Sequence, residues 1–286
     1  MKLLIILLAC LLTGTCNKGT EYQIPPPAAT GEPQTPQTPD KEEPEADVLR
    51  LATYNVGVFS KSGTNTTLMV VEMMKELGVC ALSMNELDSC NTRHQVFQLK
   101  SFAREMGSWD YTYAPALNYK GGWYGIGIAS DPKLNIIRRF RLKLSQAGGS
   151  EVRALAVSEF QDFVFCSTHL DHKSKEAQLV QAGEITAWVE KTYANSRKPV
   201  ILCGDFNALP SSETLAYMRK NWTILSPEGF TYPASNPSKC IDYIMVYKNA
   251  ADRIELKEAR IATVFSTGDV TVASDHLPVY VDIVLK

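Results

Sequence analysis

The amino-acid sequence predicts an α/β fold in which two mixed β-sheets stack on each other and helices cover the outside. Three observations lead to this prediction. Short apolar runs end abruptly in polar residues, which is typical of strands buried on both faces. Segments with helical periodicity lie between several of these runs. The middle of the chain is rich in strands with short, hairpin-like connections, so a purely parallel sheet is not expected.

The elements can be assigned in order along the chain. Residues 66–77 are predicted to form a helix because apolar residues recur there at spacings of three and four, and Gly78 ends it. The predicted helices are 66–77, 94–106, 173–193 and 211–219. The predicted strands are 48–54, 79–84, 111–115, 125–130, 134–142, 152–160, 163–168, 200–203, 241–247, 256–262 and 277–284.

The first 47 residues differ in composition from the rest. Lys2 followed by the apolar residues 3–12 is typical of a secretory signal. This apolar run is too short to cross a bilayer, which takes ~20 residues. We predict a signal peptide over 1–16 of the lipoprotein type, with Cys16 as the lipid-modified anchor; Cys10 and an ordinary secretory signal are the alternatives.

Residues 17–47 are rich in Pro, Thr and Glu and poor in apolar side chains, which predicts a disordered tether. The folded domain is expected over 48–286. We therefore expect an exported, monomeric protein, in the periplasm or at the outer membrane or cell surface, held to the membrane by its N-terminal lipid.

The charge balance argues against a dedicated duplex-DNA binder. Residues 1–47 contain three Lys and seven acidic residues, so 26 of the 29 basic and 24 of the 31 acidic residues belong to the folded domain. That domain lacks a strongly basic footprint. A small or lipidic phosphate ester is at least as plausible a substrate as DNA.

Five cysteines follow the signal, and none of them forms a CxxC pair that would indicate zinc or dithiol chemistry. Cys80, Cys166 and Cys203 lie inside apolar runs and are expected to be small core residues. In an exported protein a bridge between Cys90 and Cys240 is an alternative to free thiols.

Acidic, amide and imidazole side chains border several apolar runs. They are Asn55, Asn85 with Glu86, His169, Asp205 with Asn207, and Asp275 with His276. Because α/β sheets place their sites at the carboxyl ends of strands, we expect these side chains to converge. Each of these residues also has a non-catalytic alternative. Asp205 and Asn207 could cap the helix near residue 211. Glu86 could be a solvent-exposed loop residue, and the histidines could be structural.

Oxygen-rich sites of this kind suit Mg²⁺ or Mn²⁺, which keep waters and bind phosphate oxygens. Phosphoester hydrolysis needs a metal, hydrogen-bond donors to the phosphoryl oxygens, and a group that orients or deprotonates water. No serine nucleophile elbow, P-loop or dinucleotide-binding glycine motif competes with this interpretation.

Six short motifs, in order, resemble those of the endonuclease/exonuclease/phosphatase superfamily, whose members resemble DNase I. They are Thr53-Tyr54-Asn55, Asn85-Glu86, Thr168-His169-Leu170-Asp171, Gly204-Asp205-Phe206-Asn207, Ile241-Asp242-Tyr243-Ile244 and Ser274-Asp275-His276-Leu277-Pro278. The resemblance covers about residues 48–286 and implies a four-layer sandwich, two mixed β-sheets flanked by helices. Each motif alone is weak, but the ordered set is specific.

The resemblance implies a role for each matching residue. Glu86 is similar to the principal metal ligand, with Asn55 and Asp275 completing or supporting the metal side. Asp205 is similar to the residue that orients or deprotonates the attacking water. His276 is similar to the catalytic histidine.

Other residues are implied around the histidine and the phosphate. Asp242 resembles the carboxylate that orients His276, and Asn207 and His169 resemble donors to the phosphate. Arg153 and Tyr124 resemble phosphate-contacting residues, with Trp123 as the alternative to Tyr124.

Some residues depart from the family pattern or keep two interpretations. Gln178 stands where relatives often carry Arg, and Cys240 where they commonly carry a polar residue. His172 is predicted to be a loop residue outside the site. Arg93 and His94 are predicted either to begin a helix or to reach substrate. Four aromatic residues are predicted to be core rather than cleft residues: Trp109, Tyr111, Tyr113 and Tyr119.

The leading hypothesis is a Mg²⁺- or Mn²⁺-dependent phosphoester hydrolase in which water attacks in line, with a phosphodiester preferred over a phosphomonoester. A lipid, nucleotide, nucleic acid or sugar phosphate is the expected substrate. The rivals are a nuclease, a sphingomyelinase-like enzyme, an inositol- or sugar-phosphate phosphatase, and an inactive surface lipoprotein that keeps the fold and only binds.

Overall fold

The computed structural model describes residues 48–286, which form two six-stranded β-sheets stacked face to face. The twelve strands are β1 Leu49–Asn55, β2 Ala81–Ser89, β3 Asp110–Tyr119, β4 Gly122–Ser130, β5 Arg138–Leu144, β6 Arg153–Glu159, β7 Val164–His169, β8 Val200–Asp205, β9 Trp222–Ile224, β10 Asp242–Tyr247, β11 Ile254–Ile261 and β12 Val279–Leu285. The signal peptide with its Cys16 or Cys10 anchor and the tether over 17–47 lie outside the described residues.

Each sheet mixes parallel and antiparallel pairs. The first has the order β11-β12-β1-β2-β4-β3, and the second β5-β6-β7-β8-β10-β9. The parallel pairs are β1 with β2 and β7 with β8. β12 runs antiparallel to β1, and β10 antiparallel to β8, so the starts of β12 and β10 lie at the edge where β1 and β8 end.

Helices lie on both outer faces, and three of them begin within two residues of their predicted positions. They are α1 Thr67–Leu77, α2 Gln98–Glu105, α3 Lys175–Tyr193, α4 Glu213–Asn221 and the short α5 Val270–Ala273. Gly78 ends α1 in the left-handed conformation with φ of 69°, which glycine adopts without strain. Ser174 and Ser212 cap α3 and α4 by accepting hydrogen bonds from backbone N–H groups.

Three apolar clusters define four layers. Leu51 and Ile128 of the first sheet meet Phe165 and Ile201 of the second between the sheets. The helices α1 and α2 cover the first sheet, and α3 and α4 cover the second. Burial of each such side chain contributes about 1.5–3 kcal/mol. The predicted four-layer sandwich is therefore confirmed.

One buried side chain ties the two sheets together at the edge that carries the site. Asn85 on β2 donates from Nδ2 to the Thr168 carbonyl at 2.8 Å and accepts the Asp205 backbone N–H at Oδ1, 2.9 Å away. The ends of β2, β7 and β8 are thereby held in one arrangement.

Several predicted boundaries were wrong. The second helix begins at Gln98 rather than at 94, because Asn91 Oδ1 accepts the N–H groups of Arg93 and His94 and forms a turn there. β2 continues to Ser89, beyond the predicted end at 84, and β9 and α5 were not predicted.

Two further findings concern the described residues. Cys90 and Cys240 are free thiols, Cys90 exposed and Cys240 buried, so the alternative of a bridge between them is wrong. Among residues 48–286, no helix has both the length and the apolar character needed to cross a membrane.

Candidate active site

The catalytic side chains predicted from the motifs meet at one edge of the stacked sheets. Asn55 ends β1, His169 ends β7 and Asp205 ends β8. Asp242 begins β10, and Asp275 and His276 lie just before β12; these antiparallel strands start at the same edge. The predicted convergence follows from the topology of the sheets.

Glu86 reaches this edge through an irregularity in its strand. The pairing of β2 with β4 shifts register between Met84 and Leu87, and Glu86 has a left-handed backbone with φ of 58°. A bulge re-aims the side chain at the bulged position. The carboxylate of Glu86 consequently lies beside Asn55, with its Oε1 3.1 Å from Asn55 Nδ2.

Gly204 allows β7 and β8 to approach next to the site. Its φ is 144°, and a Cβ at this position would lie 1.8 Å from the Thr168 carbonyl oxygen. Only glycine fits there. The close approach brings His169 and Asp205 side by side, with His169 Nε2 3.4 Å from Asp205 Oδ2.

Asn55 connects the acidic residues. Its Oδ1 accepts the Gly57 N–H at 3.1 Å, which fixes the orientation of the amide. Nδ2 therefore faces Glu86 Oε1 and Asp205 Oδ2, each at 3.1 Å, and lies 3.4 Å from His276 Nε2. In this orientation Asn55 donates hydrogen bonds from its amide nitrogen to the carboxylates of Glu86 and Asp205.

His276 forms a buried pair with Asp242. Its Nδ1 lies 2.9 Å from Asp242 Oδ2, which also accepts the Thr231 hydroxyl. Burial disfavours charge on His276, but Asp242, with Asp205, outweighs burial and raises the pKa of His276 to about 10. His276 is therefore a charged donor at neutral pH, and its Nε2 lies 3.6 Å from Asp205 Oδ2.

Burial instead favours the neutral forms of Asp205 and His169. Burial raises the pKa of Asp205 to about 7, with charged His276 opposing and Asp242 adding to the rise. Burial, together with the charge of Arg153, holds the pKa of His169 well below its ordinary value, so His169 is neutral. A carboxylate that titrates near neutral pH is suited to accept a proton from water.

Glu86 and Asp275 face a common position. The ammonium of Lys61 lies 3.2 Å from Glu86 Oε2 and 3.2 Å from Asp275 Oδ2. Two carboxylates that converge on one cationic atom are a donor set that suits Mg²⁺ or Mn²⁺. These residues fit the predicted metal.

A second set of possible ligand atoms lies deeper. Ligand atoms of Asp205, Asp242 and His276 lie within 4.8 Å of one another. The Glu86 side suits a metal better, because Nδ1 of His276 is already hydrogen-bonded to Asp242.

A cavity of about 670 Å³ opens over these residues. Besides the acids and histidines, it is lined by the basic residues Lys61, Arg153, Lys173, Lys175 and Lys239. The lining includes Tyr124 and not the neighbouring Trp123. Burial, with Glu86 nearby, raises the pKa of Tyr124 well above its ordinary value, so its hydroxyl stays protonated and can donate.

Arg153 is held in place and faces the cavity. It is 3% exposed, and its Nη2 contacts His172 Nδ1 at 3.1 Å and Glu151 Oε2 at 3.3 Å. Within the described part of the chain, Arg153 Nε and His169 Nδ1 are buried atoms without a hydrogen-bond partner. Of these two atoms, Arg153 Nε carries an N–H, and an unsatisfied buried N–H donor is suited to bind an anion.

Asn207 is fixed by its neighbours at the rim of the cavity. It has a left-handed backbone with φ of 49°, its N–H donates to Asp205 Oδ1 at 2.8 Å, and its Nδ2 donates to the Leu170 carbonyl at 3.2 Å. Gln178 donates to the carbonyls of Asp171 and Asn207, at 2.7 and 2.9 Å, so it ties two loops of the site together. Since Ser212 caps α4, Asp205 and Asn207 do not serve as its cap.

The sequence profile of the Endonuclease/Exonuclease/phosphatase family matches residues 52–276. The chain belongs to this family. Membership supports a hydrolase that acts on phosphoesters.

Several solved structures share the fold. A member from Bacteroides vulgatus is 18% identical with a TM-score of 0.68 over 84% of this chain and 99% of its own. A mannosyl-6-phosphatase from Bacteroides thetaiotaomicron is 19% identical with a TM-score of 0.67 over 83% of this chain and 100% of its own. The human Nocturnin catalytic domain, solved with a bound sulfate, is 17% identical with a TM-score of 0.65 over 84% and 94%. A comparison with curated protein sequences gave no match.

Some predictions about residues around the family site were wrong. His172 lies in a loop as predicted, but it lines the cavity and contacts Arg153. Arg93 and His94 neither begin a helix nor line the cavity, because both bind the fully buried Asp88. The departure from the family pattern at Cys240 does not reach the cavity lining, because Cys240 packs in the outer apolar cluster.

Three of the four aromatic residues that were predicted to be core residues pack in an apolar cluster. Trp109, Tyr111 and Tyr113 pack in the cluster under α1 and α2. Tyr119 instead lies under Arg93, whose guanidinium carbon is 4.6 Å from the ring centroid.

The sequence interpretation missed several cavity residues of this family member. Lys61 and Lys239 lie in polar loops without a pattern that marks them. Tyr232 lies next to His276, with ring centroids 4.8 Å apart. Asn85 lies outside the cavity lining; its convergence with the other polar side chains was predicted, but its hydrogen bonds between the two sheets were not.

Proposed function

We propose that this protein is a Mg²⁺- or Mn²⁺-dependent hydrolase of phosphoesters. The single observation that carries the proposal is that Glu86, Asp205 and His276, from distant parts of the chain, face one cavity together with Arg153. The charges divide into an acidic side at Glu86 and Asp275 and a basic side at Arg153 and His276. Such a division suits a divalent cation beside a phosphate.

Glu86 and Asp275 would hold the metal, supported by Asn55. When bound, the metal would neutralise charge on the phosphoryl oxygens and help position water. The remaining roles belong to the protein. Asp205 orients the attacking water and accepts its proton, which its raised pKa permits.

Donors around the cavity bind the phosphoryl oxygens. His276 carries a positive charge into the site, and Asp242 keeps its ring in one orientation. Neutral His169, the Arg153 guanidinium, the Asn207 amide and the Tyr124 hydroxyl supply further donors. Preorganised donors of this kind stabilise charge that develops in the transition state.

A phosphodiester is the first candidate substrate. The cavity volume of about 670 Å³ leaves room for groups on both sides of the phosphorus. A phosphomonoester is the second candidate, favoured by Lys173, Lys175 and Lys239 on the cavity wall, because a monoester carries more negative charge than a diester. The near-neutral charge of the domain gives nucleic acid no advantage.

The test is a panel of phosphoesters assayed with Mg²⁺ or Mn²⁺ and with EDTA. Bis(p-nitrophenyl) phosphate and p-nitrophenyl phosphate represent the diester and monoester classes, and sphingomyelin, DNA and sugar phosphates represent the rivals. Metal-dependent turnover of a panel member supports the proposal. Metal binding without turnover of any substrate favours the inactive binding lipoprotein.

Export and lipid anchoring at Cys16 are proposed from the sequence. The test is mass spectrometry of the membrane-associated protein and of a Cys16→Ser variant. Lipid on the wild-type protein alone is the expected result, and an unmodified Cys16 contradicts it.

A further inference from the structure

Lys61 occupies a central position among the acidic residues of the site. Its ammonium lies 3.2 Å from both Glu86 Oε2 and Asp275 Oδ2, and its side chain is 37% exposed. Lys61 is therefore a cation that neutralises both carboxylates.

The backbone at Gly57 provides the path for this side chain. A Cβ at Gly57 would lie 2.2 Å from Lys61 Cγ and 2.8 Å from Lys61 Cε, so the stem of Lys61 rests against the bare glycine. Gly57 has φ of 52° and donates its N–H to Asn55 Oδ1. The same turn therefore positions both Asn55 and the stem of Lys61.

Other basic residues of the cavity have different partners. Arg153 pairs with Glu151, and Lys239 lies 5.6 Å from the ring centroid of Tyr232. Among the ion pairs of residues 48–286, Lys61 alone bridges Glu86 and Asp275. The Lys61 contacts are thus specific to the acidic side of the site.

A divalent ion needs the carboxylate oxygens that Lys61 contacts. Two cations at one position repel each other, and each carboxylate oxygen has few lone pairs to share. We propose that Lys61 is an internal cation that competes with the divalent metal for Glu86 and Asp275, so that metal binding requires the Lys61 side chain to withdraw. This inference rests on the metal site of the proposed function.

Two consequences follow. Lys61 stabilises the metal-free protein by separating two carboxylates that would otherwise repel each other. For the same reason it weakens metal affinity, because each binding event has to break its ion pairs.

The test measures Mn²⁺ affinity of the full chain by calorimetry or electron paramagnetic resonance, without substrate. Lys61→Met should bind Mn²⁺ about tenfold more tightly than wild type. Lys61→Arg keeps the charge and should stay close to wild type. Lys100→Met removes an exposed charge on α2, outside the cavity lining, and should change the affinity by less than about twofold.

Thermal unfolding in EDTA provides a second measurement. Lys61→Met should unfold at a lower temperature than wild type in EDTA and gain more from added Mn²⁺. Equal stability of the two proteins in EDTA contradicts a cation role for Lys61.

A Glu86→Gln variant separates the inference from the metal site itself. If Glu86→Gln weakens Mn²⁺ binding but Lys61→Met leaves it unchanged or weaker, only the role of Lys61 is overturned. If Glu86→Gln has no effect on Mn²⁺ binding, the assignment of the metal site to Glu86 is wrong, and the proposed competition by Lys61 is overturned as well.

Discussion

The Nδ1 atom of His276 lies 2.9 Å from Oδ2 of Asp242, and both side chains are buried. The two residues are carried by different sheets, since His276 lies just before β12 of the first sheet and Asp242 begins β10 of the second. The pair therefore connects the stacking of the sheets to the charge state of the site.

This pair predicts a pH dependence of stability in metal-free protein. The folded pKa of His276 is raised to about 10, so its stabilisation is complete below its ordinary value near 6.5 and is lost as the pH rises through about 10. Asp242→Asn should lower the free energy of unfolding by about 3 kcal/mol at pH 6 and by much less near pH 10.

Urea denaturation in EDTA across this pH range measures the difference. Asp252→Asn is the matched control, because Asp252 forms an exposed ion pair with Arg197 and should show only a small effect. A loss for Asp242→Asn that is constant between pH 6 and 10 contradicts the charged state of His276.

Asn85 should matter for both stability and activity. Asn85→Ala leaves the Asp205 N–H and the Thr168 carbonyl without their buried partner, which should cost about 2 kcal/mol. The turnover rate should also fall, because Asp205 loses its support. Chemical denaturation and steady-state kinetics check this against Asn118→Ala, an exposed position on β3. Equal losses in the two variants would show that Asn85 does not tie the sheets.

Arg153 should control phosphate affinity. Arg153→Lys replaces a planar fork by a single ammonium and should raise the inhibition constant of inorganic phosphate about tenfold. Arg141→Lys, on the exposed face of β5, is the control and should leave the constant unchanged. Identical inhibition constants for both variants contradict a phosphate contact at Arg153.

Arg93 should contribute to stability and not to substrate binding. It contacts fully buried Asp88 through two nitrogens, at 2.7 and 2.9 Å. Arg93→Ala leaves Asp88 short of charge compensation and should destabilise the fold by about 3 kcal/mol. KM should remain unchanged at temperatures where the variant is folded. A raised KM without loss of stability would contradict this prediction and indicate that Arg93 binds substrate.

The sequence predicts the parts of the site that follow directly from strand order. Asp205 and His169 end strands that the apolar runs reveal, so their meeting follows from sheet geometry. Glu86 was identified by motif, but the bulge that turns it toward Asn55 depends on pairing with β4, which the local pattern does not contain.

Other features depend on partners that are distant in sequence. The helix predicted from residue 94 begins only at Gln98, because the side chains of Arg93 and His94 bind Asp88 instead of continuing a helical turn. Lys61 lies in a polar loop, and its function appears only when Glu86 and Asp275 are placed beside it. Sequence periodicity records which face of an element is buried, but not which charges meet across elements.

The most direct test of the central claim is the hydrolysis rate of bis(p-nitrophenyl) phosphate with Mn²⁺ for wild type, Glu86→Gln and His276→Asn. Glu72→Gln, an exposed residue of α1, is the control. We expect metal-dependent turnover that EDTA abolishes, a loss of at least about a hundredfold in the two site variants, and no loss in the control. Full activity in both site variants would contradict the claim that these residues form one catalytic site.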